Sequence, residues 1–416
     1  MKASDSVKNY PSRLREYANY SLRSIKRVCK DIGPRFPGSD GEKKAHDYFF
    51  KELEGCCDTV VKEEFAVHPR AFLGWVPLCC YMAVIGCVLF YFGLAAVTLA
   101  LAAVALLLIV LEFVFYRQPL DPFYPKKTSA NVIGVKNPSG EIKRKFIISG
   151  HCDSSGEWTY TYLGGPVLLK IVLFAGVGGL VLLLAAVVAA FVNGYALGFT
   201  LEGPQSPFVN VVRYVLLGYI PVFLAASRFS NPKKPVLGAN DDLTGCFAAV
   251  SAAKFLTDCG LALENTQLNV LITGSEEAGL RGAKDFAKRH AGEYKEVPTM
   301  FLGIDTLRDY DDMAVYTRDM SGTVKNGEQA CALLREGAAN AGLNLPCKTI
   351  TPGSSDAAAI TQAGLQAAAL AAMDPAPARY YHTRLDNETN LDLKTIEAGI
   401  NVCLETMFLF DEKGFG

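Results

Sequence analysis

The chain has 416 residues, half of them hydrophobic, and a formal net charge of −1. That length holds two or three average domains or one large domain with insertions, and the near-neutral charge points away from a nucleic-acid partner. Twelve cysteines without framework spacing exclude a disulfide scaffold in a chain this long and fit a reducing compartment.

The first thirty residues are charged and carry no apolar leader run, so no cleavable signal peptide is expected. Residues 11–30 are basic and amphipathic and predict a helix. DIGPRFPGSDG (31–41) is a loop punctuated by Gly and Pro, EKKAHDYFFKELEG (42–55) has helical spacing with a closing Gly, and TVVKEEFAV (59–67) alternates as a strand does. From Ala71 to Leu111 there is no charged residue. One helix of that length would run roughly 60 Å, twice the ~30 Å hydrocarbon thickness. Two membrane spans turning near Gly93 are therefore expected, a first hairpin over 71–116.

SANVIGVKN (129–137) and KRKFIISGH (143–151) read as strands, and the turn signal NPSGE between them predicts an antiparallel hairpin. Ile171–Val192 is a third charge-free span, and Phe208–Ser227, with Arg213 near its start and Pro221 inside, is a fourth and weaker one, with a re-entrant or interfacial helix as its alternative; together they predict a second hairpin over 166–228. Two spans per block return the chain to the side it left. Residues 1–70, 117–165 and 229–416 then form one discontinuous domain in one compartment. Arg70, Arg117, Lys126, Lys127, Lys170, Arg228, Lys233 and Lys234 flank the spans on that side, against Arg213 alone on the other. The positive-inside rule predicts a multi-pass integral membrane protein with this domain in the cytoplasm.

GCFAAVSAAKFLTD (245–258) predicts a helix, TQLNVLITGSEE (266–277) a buried strand ending in acids, GAKDFAKRHAGEY (282–294) a helix and TMFLGID (299–305) a strand ending in an acid. Strands alternating with helices indicate an α/β domain: a mixed, mostly parallel sheet sandwiched by helices. Ligands bind beyond the carboxyl ends of such strands. His151 and Asp153, Glu276 and Glu277, and Asp305 all fall at strand ends. GANDDLTG (238–245) opens a helix, and YHTRLDNETN (381–390) brings a late histidine.

Imidazole and carboxylate are zinc ligands, and a catalytic ion keeps a position open for water. Two ions about 3.5–4 Å apart need a shared carboxylate; one bridging acid plus a His and an acid for each ion suits that demand. His151 and Asp153 are two apart on a strand and leave the same face, and adjacent Glu276 and Glu277 diverge, so one can hold metal while the other serves as general base. Each motif also has a plainer meaning: paired acids are common on solvated surfaces, Asp241–Asp242 could cap a helix, and Tyr381 could be core. Their joint placement at the ends of one sheet is what favours a site.

In the order His-x-Asp, GANDD-x-TG, EEAGLRGA, strand-end Asp and YHT, the chain resembles the M28 family of zinc peptidases, the co-catalytic di-zinc aminopeptidases; IGPRFPGSDGEKKAHDYF (32–49) resembles that family's N-terminal segment. The likeness covers nearly all of the soluble part and none of the apolar blocks. It implies a zinc aminopeptidase-like fold with about four transmembrane helices inserted as two hairpins, and two Zn2+ per chain. It implies that Asp241 bridges the metals, with a cis peptide to Asp242, that His151 and Asp305 complete one set of ligands, and that Glu277 and His382 complete the other. Glu276 would be the general base activating water, Asp153 would support His151, and Tyr381 would stabilise the oxyanion. Many members carry Ser-Asp-His where this chain has SSDAAA (354–359), so Ala357 departs from the pattern.

The activity implied is that of a membrane-anchored exopeptidase, an aminopeptidase. Rival readings are a glutaminyl-peptide cyclotransferase working with one zinc, an N-acyl amino acid amidase, and a non-catalytic membrane receptor or assembly factor. EEAGLRG favours the peptidases, and the retained ligands and base oppose the receptor. If the strands at 129–137 and 143–151 pair antiparallel, both membrane hairpins leave from the ligand-bearing edge. The site is then expected to open toward the bilayer and to receive hydrophobic peptides or other amides from it.

Overall fold

Among the described residues, runs rich in Val, Ile, Leu and Phe make most strands of a nine-stranded sheet, and the flanking helices cover its two faces. The computed structural model describes residues 2–195, 198 and 206–415. Two units are present: Met1–Pro69, Lys126–Gly156 and Pro232–Gly416 form the first, and Arg70–Pro125 and Glu157–Asn231 the second.

The strands are β1 (Thr59–Val67), β2 (Lys127–Lys136), β3 (Arg144–His151), β4 (Gly156–Trp158), β5 (Ser230–Pro235), β6 (Thr266–Thr273), β7 (Thr299–Leu307), β8 (Met313–Asp319), β9 (Val324–Lys325), β10 (Cys347–Thr349) and β11 (Gln366–Ala372). The large sheet runs β1-β2-β6-β3-β7-β11-β8-β10, with β9 against β8. Its centre, β6-β3-β7-β11, is parallel, whereas β1–β2, β2–β6 and β11–β8 are antiparallel. The sheet is therefore the expected mixed, mostly parallel one.

The helices of this unit are, in chain order, α1 (Ala3–Ser6), α2 (Tyr10–Asp31) and α3 (Asp40–Glu54), followed beyond the second unit's α4 (Trp75–Tyr91), α5 (Ala95–Ile109), α6 (Thr159–Val192) and α7 (Pro207–Ala226) by α8 (Leu243–Asp258), α9 (Arg281–His290), α10 (Glu328–Asn340), α11 (Asp356–Gln362) and α12 (Leu393–Lys413). Leu14, Tyr17, Ala18, Ser21, Ile25 and Val28 give α2 a buried stripe at helical spacing. Phe146 and Ile148 of β3 and Leu268, Val270 and Ile272 of β6 share one core with α2, α8 and α12. The alternate residues Ile147, Leu271 and Phe301 are buried on the opposite face, where Ala357 of α11 packs on Gly303. Burial on both faces makes these strands continuously apolar, as parallel strands are.

One pairing corrects the sequence expectation. β2 and β3 are not neighbours: β6 lies between them, antiparallel to β2 and parallel to β3. The turn residues encode a reversal but not adjacency, and the apolar strand TQLNVLIT buries more surface in the middle of the sheet than at its rim. The direction of the reversal survives. The end of β1, the start of β2 and the end of β3 all lie at the sheet edge where β6 and β7 end.

In the second unit Gly93, at φ +84°, makes the turn between α4 and α5. The helix α6 is interrupted at Gly164 and Gly165, just before Pro166, and α7 contains Pro221. Among the described residues, four helices are long and apolar enough to cross a membrane: Phe72–Tyr91, Ala95–Val114, Thr159–Val192 and Pro207–Ala226. Cys87, Phe90, Leu183, Val187 and Leu216 pack inward, while Ile85, Leu107, Phe174 and Val188 are exposed. Part of the expected 166–228 hairpin, residues 196–197 and 199–205, lies outside the described residues.

His46 on α3 is buried and its Nε2 has no hydrogen-bond partner among the described residues. Burial pushes its pKa from 6.5 down to about 4, against the raising effect of Asp153. The unfolded chain thus binds this proton more readily than the folded one, so the associated stability is intact above 6.5 and is lost as pH falls toward 4. At about 1.4 kcal/mol per unit, His46→Leu is expected to remove up to about 3 kcal/mol of acid sensitivity in that window. Thermal melts of wild type and variant in detergent across that range check it; parallel pH profiles would contradict it.

Candidate active site

Register alone brings the strand-end residues level. His151 pairs with Thr273 on β6, so Glu276 and Glu277 follow three and four residues beyond. Ser149 pairs with Gly303 on β7, which sets Asp305 level with His151. The loop before α8 adds Asp241 and Asp242, joined by a cis peptide bond. Asp242 takes the helix-capping role: its carboxylate accepts from Gly245 N (2.9 Å), His151 N (3.0 Å) and Thr306 N (3.2 Å), tying three ligand-bearing segments together. Asp241 is left to face the site.

The carboxylate of Asp241 lies between two imidazoles. Its Oδ1 is 3.1 Å from His151 Nε2 and its Oδ2 is 2.9 Å from His382 Nε2. His382 Nε2 is also 3.1 Å from Glu277 Oε1. His151, Asp241 and Asp305 form one group able to hold a metal ion, and Asp241, Glu277 and His382 a second, the ligand atoms of each lying within 4.8 Å of one another. All five sequence-predicted ligand positions are thus drawn together, with Asp241 common to both groups.

The three residues expected to assist lie beside them. Glu276 Oε2 is 3.9 Å from His151 Nε2. Asp153 Oδ1 is 3.4 Å from His151 Nδ1, and the Asp153 carboxylate also accepts from Glu276 N and Glu277 N, each at 3.0 Å. That second task, holding the glutamate loop, is not visible in the sequence. Tyr381 stacks on the His382 ring with centroids 3.8 Å apart. His382 itself sits at φ +52°, a region that non-glycine residues enter rarely. Asp356 is an addition that sequence reasoning passed over. Buried at the start of α11, it accepts from Thr273 Oγ1 at 2.6 Å, a bond between distant segments that nothing in SSDAAA announces.

Burial and crowded charge set the protonation of the cluster. Burial raises Glu276 well above the carboxylate range, Asp356 and Glu277 adding to it while His151 opposes. Burial and then Asp241 push Asp305 up to about 7. Burial would raise Asp241, but His151 and His382 outweigh it and hold it well below its ordinary value. Burial would lower His382, but Glu277 and Asp241 lift it to about 10. Burial, then Asp241 and Glu277, raise the Tyr381 hydroxyl well above its usual value.

The donor set fits a zinc ion. Imidazole nitrogen and carboxylate oxygen are its ordinary ligands. Asp241 Oδ2 and Glu277 Oε1 are buried and receive no hydrogen bond of good geometry among the described residues, and buried carboxylate oxygens demand a partner.

Residues 224–407 match the model for peptidase family M28, so the resemblance carried by the motif order holds. No curated protein matches the chain. Solved structures with the same fold include the glutaminyl cyclase of Fimbriiglobus ruber, at 15% identity over 94% of this chain and 95% of that one with a TM-score of 0.55. The zinc aminopeptidase BSAP of Bacillus subtilis aligns at 13% identity over 94% of each chain with a TM-score of 0.54. An aminopeptidase of Aneurinibacillus sp. strain AM-1 aligns at 14% over 95% of each with a TM-score of 0.55. At these identities the likeness shows the fold: an aminopeptidase-like sheet flanked by helices.

Proposed function

We propose that this chain, whose residues 224–407 carry the M28 family match, is a membrane-anchored zinc exopeptidase that removes residues from the amino end of peptides. The observation that carries the proposal is Asp241, with one oxygen at each of two imidazoles, 3.1 and 2.9 Å away. His151, Asp305 and Asp241 would hold one zinc ion, and Glu277, His382 and Asp241 the other. When bound, such ions supply Lewis acidity that polarises a carbonyl and favours ionisation of water.

The chain's own residues supply the rest. Glu276, its backbone fixed by Asp153 and its carboxyl pKa raised by burial, takes a proton from the attacking water and delivers it to the leaving amine. Tyr381, stacked on His382, donates its hydroxyl proton toward the carbonyl oxygen as negative charge develops there. Asp153 keeps His151 oriented.

The four apolar helices support a multi-pass anchor, and the Lys and Arg residues flanking them favour a cytoplasmic catalytic unit. The ends of β1 and β3 and the start of β2 lie at the sheet edge that bears the site. We take hydrophobic peptides or other amides as the substrate class, on the strength of the apolar helices in the same chain.

Glutaminyl cyclisation is the second reading, favoured by the Fimbriiglobus structure. Two ion-holding groups rather than one support the peptidase. A panel of free-amino peptides, N-acyl amino acids and a Gln-initiated peptide, read by mass spectrometry, separates them. Loss of an N-terminal residue is expected; loss of ammonia from the Gln peptide, with the other peptides intact, would replace this reading by the cyclase. Prolonged treatment with a chelator is expected to abolish turnover and added zinc to restore it.

A further inference from the structure

Behind the metal-binding residues, two buried side chains of opposite charge grip the same short segment. Arg35, in the loop before α3, is fully buried. Its guanidinium donates to backbone carbonyls: Nε to Cys152 O (2.5 Å), Nη1 to Leu237 O (2.5 Å) and Nη2 to Gly238 O (2.9 Å). Cys152 stands between His151 and Asp153, and Leu237 and Gly238 lead into Asp241. Arg35 therefore joins the β3 ligand segment to the segment carrying the shared ligand. The polypeptide around it is closed in turn, since Arg35 N donates to Ser154 Oγ (2.9 Å) and Ser154 Oγ to Val236 O (2.8 Å).

Asp386 holds the other end of that segment. It is fully buried, and its carboxylate accepts from Asn240 N (2.8 Å), Asn240 Nδ2 (2.7 Å) and Asp241 N (3.1 Å). It lies four residues after His382 in one loop, so it couples the His382 segment to Asp241. Neither side chain belongs to the two groups able to hold a metal ion.

We propose that Arg35 and Asp386 are positioning residues: a charged brace that clamps residues 237–241 from behind and holds the His151, Asp241 and His382 segments at ligand spacing before any cation arrives. The physical need is plain. Asp153, Asp241, Glu276, Glu277, Asp305 and Asp356 crowd carboxylates into one largely buried cluster, and repulsion among like charges at such spacing works to spread the loops apart. A planar five-donor fork can address three carbonyls on two segments at once, which a lysine ammonium cannot. A carboxylate can gather the three N–H groups of Asn240 and Asp241, which an asparagine does less well because it keeps one acceptor oxygen.

This rests on the zinc reading above, and the test keeps the two apart. Full-length wild type, Arg35→Lys, Asp386→Asn, the double variant and Asp241→Asn are purified in detergent and stripped of metal. Zinc affinity is then measured by competition with a chromophoric chelator. Arg35→Lys and Asp386→Asn are each expected to weaken zinc binding by about 10- to 100-fold, the usual effect of residues that orient ligands. The double variant is expected to lose less than the product of the two, since both act through one segment. At saturating zinc, kcat and KM of the single variants are expected to return to wild-type values, which a merely misfolded enzyme would not do. Wild-type affinity in both single variants overturns the brace while leaving the zinc reading intact, and so does weak affinity with kcat still low at saturating zinc. A wild type that binds zinc no better than Asp241→Asn overturns the zinc reading and the brace with it.

Discussion

Asp241→Asn is expected to lose zinc and all measurable peptidase activity while keeping its fold. Asparagine retains one acceptor oxygen and turns an NH2 donor toward the other imidazole, now 2.9–3.1 Å away in the wild type. It also removes the charge that both ion-holding groups share. The effect should exceed the 10- to 100-fold typical of residues that only orient ligands, and the rate should fall by more than the roughly 10²–10⁴-fold that a general base alone contributes. The backbone anchors of this residue, Asp241 N on Asp386 and the neighbouring Asp242 cap, are untouched. A melting temperature near that of the metal-stripped wild type is therefore expected. Zinc content by elemental analysis, read beside the melt, checks the prediction. A variant that keeps both zinc and turnover contradicts the shared-ligand geometry.

Glu276→Gln is expected to show a different signature: a fall of roughly 10²–10⁴-fold in kcat with zinc content and KM close to wild type. Glu276 belongs to neither ion-holding group, and its position is set through its backbone N–H by Asp153, which the substitution leaves alone. Its neighbour supplies the control. Glu277 contributes an oxygen 3.1 Å from His382 Nε2, so Glu277→Gln should cost zinc affinity first and activity as a consequence. Two adjacent glutamates, identical in composition, should separate into one rate defect restored by no amount of zinc and one affinity defect that excess zinc repairs. Full activity in Glu276→Gln would remove the proton-transfer step from the account.

The elements with a clear period were legible. TVVKEEFAV alternates and forms β1 over the same nine residues, Thr59–Val67, and the charge-free run after Ala71 divides into two helices about Gly93. Where local pattern and tertiary demand conflict, the sequence misleads. QAAALAA is built from the best helix former, yet it makes β11, a strand buried between β7 and β8 that needs small side chains rather than a high strand propensity. NPSGE marks a reversal but says nothing of β6 slipping between the two strands it joins. The backbone leaves helical geometry at Gly164 and Gly165, so the long apolar part of α6 starts beyond that break, at the edge of the expected 166–228 block.

The site shows the same division. His151, Asp241, Glu277, Asp305 and His382 stand out because strand ends and short motifs carry them. What supports them is less visible. The grip of Asp153 on Glu276 N and Glu277 N spans more than 120 residues of chain, and Arg35 sits in a Pro-Gly loop like any other. Hydrogen bonds from side chains to distant backbone leave no periodicity behind. They depend on where loops end up once the sheet has set their ends, and a single sequence encodes that only through the whole fold.

Anomalous diffraction at the zinc edge from crystals of the full-length protein addresses the central claim most directly. The account predicts two peaks flanking the Asp241 carboxylate, one beside His151 and Asp305 and the other beside Glu277 and His382. A single peak, or zinc bound away from Asp241, would contradict it.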